Sequence, residues 1–61
     1  MPNVVIFFRE GKTLEQKRTL AKKLTSAVVE SLGVDAKAVS IQMVEQKSEH
    51  VSVGGTLLSD R

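Results

Sequence analysis

This chain of 61 residues contains no cysteine, tryptophan or tyrosine, and only one proline and one histidine. Without cysteine no disulfide can staple the fold, and one lone histidine does not make a zinc site. Those are the usual supports of a domain so short, which by itself buries only about 60% of the surface its unfolded chain exposes. Self-association is the support that remains. Aromatic side chains are scarce as well: two phenylalanines offer no stacking platform for bases, and no nucleic-acid-binding motif accompanies them. Long apolar runs are absent too. Val4–Phe8 is far too short for a membrane span or a signal-peptide core. Nucleic acid and membrane are therefore not expected partners, and the cytoplasm is the expected compartment.

Charge of one sign is not concentrated either. Nine Lys and Arg stand against seven Asp and Glu, for a formal net charge of +2. Lys17, Arg18, Lys22 and Lys23 form a basic stripe, which reads as a solvated helix face.

What the chain does contain is a compact order of elements. Val4–Phe8 is a run of β-branched and aromatic residues, expected to form a strand buried on both faces. Gly11 permits a turn, and Thr13 with Gln16 three residues later is the signature of a capping box. Leu20, Ala21, Leu24, Ala27, Val28 and Leu32 recur at helical spacing, and Gly33 stands where a left-handed cap belongs. The helix is predicted from Leu14 to Leu32. Val39, Ile41 and Met43 then alternate with Ser40 and Gln42, predicting a half-buried strand from Ala38 to Glu45. Val51–Val53 reads as a short edge strand, with Gly54 and Gly55 as a turn before the tail. The expected fold is α/β: one domain over residues 1–61, a single right-handed βαβ unit with two parallel strands and a short C-terminal hairpin. Two strands under one helix leave open edges and a bare face, which again calls for other copies.

The single proline stands directly behind Met1. A proline there is small enough for the initiator methionine usually to be removed, leaving a secondary amine whose direction the ring fixes. A terminal amine has a reference pKa of about 7.7–8.0, the nearest to neutral of any amine in a protein. Neighbouring cations or apolar walls push such a value down, towards the range of an effective general base.

The order Pro2-Asn3-Val4-Val5-Ile6-Phe7-Phe8-Arg9-Glu10-Gly11-Lys12, the Leu14-Glu15-Gln16-Lys17 helix opening, Glu45, and His50-Val51-Ser52-Val53-Gly54-Gly55 together resemble the 4-oxalocrotonate tautomerase family over essentially the whole chain. The resemblance implies the tautomerase-like β-α-β fold, paired into four-stranded dimers and assembled as a homohexamer, or as a heterohexamer with a sister subunit. It implies an isomerase that moves a proton in the enol or dienol form of a small 2-oxo acid, with Pro2 as the base once Met1 is gone. Cationic side chains would hold the carboxylate, and neither a metal nor an organic cofactor is needed.

Residue by residue, the match has gaps. The arginine that usually follows the Glu-Gly turn is Lys12, which keeps the charge but loses the planar fork. The arginine usually inside the second strand is Ser40, a neutral group. The aromatic usually found after the histidine is Val51, which opens the pocket, and Ser52 replaces the first glycine of the turn. Arg9, at the end of the first strand, matches an arginine of heterohexameric relatives that dehalogenate halogenated acrylic acids. Their water-activating carboxylate is matched here by Val53, which argues against that reaction. The expected site is Pro2 as catalytic residue, with Arg9, Lys12, Ser40 and Val51 around the substrate and no metal. The alternative is a complementing, non-catalytic subunit of a heterohexamer.

Overall fold

A computed structural model describes every residue from Met1 to Arg61. Strand β1 (Asn3–Arg9) leads into helix α1 (Leu14–Leu32), a short 3-10 turn at Ala36–Ala38, and strand β2 (Ser40–Gln46). A second 3-10 turn (Ser48–His50) precedes a hairpin of β3 (Ser52–Val53) and β4 (Thr56–Leu57), and a last 3-10 turn spans Leu58–Asp60. β1 and β2 pair in parallel, from Asn3 opposite Ser40 to Arg9 opposite Gln46. β3 and β4 pair antiparallel. This is the βαβ unit with a terminal hairpin that the sequence predicts.

Local chemistry sets the boundaries. The Thr13 hydroxyl accepts from the Gln16 N–H at 3.1 Å, and the Gln16 side chain accepts from the Thr13 N–H at 2.9 Å, so the helix start satisfies its own orphan donors. At the other end Gly33 takes φ +66° and its N–H donates to the Val29 carbonyl at 2.9 Å. The helix limits agree with the sequence reading. The second strand starts two residues later than expected, because Ala38 belongs to a 3-10 turn capped by the Asp35 carboxylate, which accepts from the Lys37 N–H at 2.9 Å. The edge strand begins at Ser52, one residue later than expected, and Gly54 (φ +62°) and Gly55 (φ +85°) make its two-residue hairpin turn.

The expectation of a first strand buried on both faces is not met within one chain. Val4, Ile6 and Phe8 point towards α1 and are half-buried, whereas Val5 and Phe7 on the opposite face are 45% and 61% exposed. α1 covers one side of the sheet and nothing covers the other. The helical stripe also differs in detail: Thr25 and Val29 are half-buried, while Ala27 and Leu32 face solvent. A helix of 19 residues is about 28 Å long, and a seven-residue strand only about 20 Å, so the helix ends overhang the sheet.

No residue is fully buried. The chain exposes 4698 Å², against about 3900 Å² for a folded monomer of its mass. Its radius of gyration is 14.7 Å, where a compact chain of this length has roughly 10–11 Å. The missing burial has to come from other chains.

Candidate active site

Pro2 is half-buried at the start of β1, and its nitrogen is in peptide linkage to Met1, which is 95% exposed. Its carbonyl accepts a 3.1 Å hydrogen bond from the Ser40 N–H, which ties the beginnings of the two parallel strands together. The Ser40 hydroxyl donates to Asn3 Oδ1 at 2.8 Å. Because side chains alternate along a strand, this Ser40–Asn3 pair lies on the helix-free face, opposite to Val4 and Ile6.

Arg9 and Lys12 stand at the other end. Seven residues of strand put Arg9 roughly 23 Å from Pro2. Arg9 is exposed on the helix-free face, and Lys12 follows the turn into α1. Lys12 lines a groove of about 300 Å³ with Ile6, Phe8, Gln16, Lys17 and Leu20. Neither Arg9 nor Lys12 forms an ion pair: the two ion pairs are Lys17–Glu45 and Glu15–Arg18. Val51 is half-buried in the C-terminal region, where its carbonyl accepts from the Leu58 N–H at 2.8 Å. That region packs chiefly on itself rather than on β1 or α1.

One chain thus brings Pro2 and Ser40 side by side through the backbone, and leaves Arg9, Lys12 and Val51 elsewhere. The apolar groove was not anticipated from the sequence, although Ile6, Phe8 and Leu20 share the inward period of their elements. Lys17 was expected on a solvated basic face with Arg18, Lys22 and Lys23. It is instead half-buried, faces the groove and pairs with Glu45 on β2. The signal was available: Lys17 lies three residues before Leu20, on the same helical face. No three metal-ligating side chains gather anywhere. No helix is long and apolar enough to cross a membrane.

The chain is thus a small α/β unit with an apolar groove lined by an unpaired lysine, beside a sheet whose first strand follows directly on Pro2. Comparison with known proteins gives the class its name. The family model described as tautomerase enzyme matches residues 2–61. A probable tautomerase from Bacillus cereus is 41% identical over 61 residues, covering 100% of both chains. The 2-hydroxymuconate tautomerase of Bacillus subtilis is 40% identical over 60 residues, 98% of this chain and 97% of that protein. Among solved structures, YwhB, a homologue of 4-oxalocrotonate tautomerase, superposes with a TM-score of 0.95 at 38% identity, covering 98% of each chain. A heterohexamer 4-oxalocrotonate tautomerase from Chloroflexus aurantiacus superposes with a TM-score of 0.91 at 30% identity, over 98% of this chain and 97% of that one. The chain belongs to the tautomerase family and carries its βαβ fold.

Proposed function

We propose that this protein is a cofactor-independent isomerase that moves a proton in the enol or dienol form of a small 2-oxo acid, with Pro2 as general base after removal of Met1. The observation that carries the reading is the groove at the end of β1, where the unpaired Lys12 ammonium meets an apolar floor of Ile6, Phe8 and Leu20. Lys12 binds the substrate carboxylate, and the floor takes the hydrocarbon part. Exposure of Met1 leaves the Met1–Pro2 bond open to a processing aminopeptidase. Processing matters because an acylated proline nitrogen has no basic lone pair. The freed amine takes the proton of the 2-hydroxyl group and returns it to a carbon of the conjugated system, while Lys12 draws charge towards the carboxylate. No electrons are exchanged.

The strand length makes this a site shared between copies. Pro2 cannot reach the Lys12 of its own chain, some 20 Å away. β1 has one free edge, and a two-fold axis through that edge pairs it antiparallel with β1 of a second copy. Pro2 of one copy then meets the Arg9–Lys12 end of the other. Further association, as a homohexamer or with a sister subunit, covers Val5, Phe7 and Val44. Arg9 comes to the site with Lys12 from that second copy, and Ser40 and Val51 serve it from copies beyond the pair.

The test is ketonisation of phenylenolpyruvate and 2-hydroxymuconate by protein shown by mass to begin at Pro2. Turnover is expected, and Pro2→Ala should reduce it at least about a hundredfold with the oligomer intact. Unchanged activity in Pro2→Ala refutes the proline base. No turnover from processed oligomer favours the complementing-subunit reading.

A further inference from the structure

Three polar side chains line the groove: Lys12, Gln16 and Lys17. The Lys17 ammonium is engaged by the Glu45 carboxylate, and Lys12 is unpaired. Gln16 is only half engaged. Its side-chain oxygen accepts the Thr13 N–H at 2.9 Å, and because a backbone N–H can only donate, the helix cap settles which way the amide points. The Nε2 group is left with two N–H donors, and none of the side-chain hydrogen bonds within the chain uses it. The capping bond also fixes where those donors sit. Thr13 directly follows Lys12, so the amide is held beside the Lys12–Thr13 peptide where both side chains line the groove.

We infer that the Gln16 Nε2 group is a further substrate-binding donor, bonded to the C2 oxygen of the 2-oxo acid while Lys12 holds the adjacent carboxylate; this rests on the isomerase reading of the same groove. The carboxylate and the C2 oxygen are borne by neighbouring carbons, so their two partners have to stand close together, as the cap makes Lys12 and Gln16 do. Removal of the 2-hydroxyl proton by Pro2 leaves negative charge shared between that oxygen and the conjugated carbons. An N–H aimed at the oxygen binds it more strongly as the charge grows, and an amide already anchored by the cap needs little reorganisation to do so. An amide side chain is neither an acid nor a base here. Gln16 therefore stabilises the charge and leaves the proton transfer to Pro2.

The experiment compares processed wild-type protein with Gln16→Glu, Gln16→Met and Thr13→Ala on phenylenolpyruvate, with the urea midpoint of each measured at one fixed protein concentration. Gln16→Glu keeps an acceptor for the Thr13 N–H and loses the donor, whereas Gln16→Met loses both without adding charge. Thr13→Ala weakens the cap and keeps the donor. Both Gln16 variants are expected to lose at least about tenfold in kcat/KM, and Thr13→Ala to stay within about twofold of wild type despite its lower urea midpoint. Activity that follows the urea midpoint across the series, or Gln16→Met within about twofold of wild type, overturns the inference. Benzoylformate, which cannot enolise, and phenylacetate, which lacks the 2-oxo group, test the contact without turnover. Wild type is expected to bind benzoylformate about fivefold more tightly, with a shift of the Gln16 side-chain amide resonances, and Gln16→Met to lose that preference. If phenylenolpyruvate does not turn over, the isomerase reading fails, and this pattern of binding still upholds the donor. Equal binding of the two acids by wild type, or a preference that survives in Gln16→Met, refutes it.

Discussion

The Ser40 hydroxyl donates to the Asn3 side-chain carbonyl at 2.8 Å, joining the first residues of two parallel strands on the face that the helix leaves bare. Both groups are exposed in the single chain, so the bond itself contributes little, about 0.5–1 kcal/mol at most. Its chemical meaning is neutrality at a position where the family resemblance expects arginine. Ser40→Arg is expected to raise kcat/KM on 2-hydroxymuconate about tenfold by adding a cation for a second carboxylate. Steady-state kinetics on the two enol acids checks this, and a gain confined to phenylenolpyruvate contradicts it.

Lys12 gives a second prediction. An ammonium holds a carboxylate as a point charge, whereas guanidinium grips it with two parallel hydrogen bonds. Lys12→Arg should lower KM by roughly threefold to tenfold with little change in kcat, and Lys12→Met should raise it by a similar or larger factor. Equal KM values in all three proteins would remove Lys12 from the carboxylate site.

Phe7 is 61% exposed on the bare sheet face, between Val5 and Arg9. Since no residue is buried within one chain, covering this face is part of folding. Phe7→Asp is expected to abolish the oligomer in light scattering and the helical signal in circular dichroism together. A folded monomer would show that the protomer is self-sufficient.

The capping box predicts a plain stability effect. Thr13→Ala removes the acceptor of the Gln16 N–H and should cost about 1 kcal/mol per chain. The urea midpoint, compared at one fixed protein concentration, measures it.

How far the sequence was readable follows the range of the interactions involved. The limits of α1 could be read because Thr13, Gln16 and Gly33 act within one turn of chain. The parallel pairing of β1 with β2 follows from their spacing around that helix. Burial of Val5 and Phe7 was misjudged for a single chain because an apolar side chain records that it will be covered, not by which molecule. Lys17 was misplaced for a related reason. Its charge suggests solvent, while its partner Glu45 lies 28 positions away on another element. The distance between Pro2 and Arg9 could have been counted from the strand length alone. Only with the strand in place does it become a statement about how many copies a site needs.

That strand length has a genetic consequence. With Pro2 at one end of β1 and Lys12 beyond the other, the proposed mechanism requires each polypeptide to give a base to one pocket and an anion clamp to another. Two variants, one without the base and one without the anion clamp, can then complement each other at substrate concentrations well below KM. Pro2→Ala and Lys12→Met chains, unfolded together and refolded at equal amounts, should recover up to about a quarter of wild-type activity, because each mixed pair carries one pocket with both parts intact.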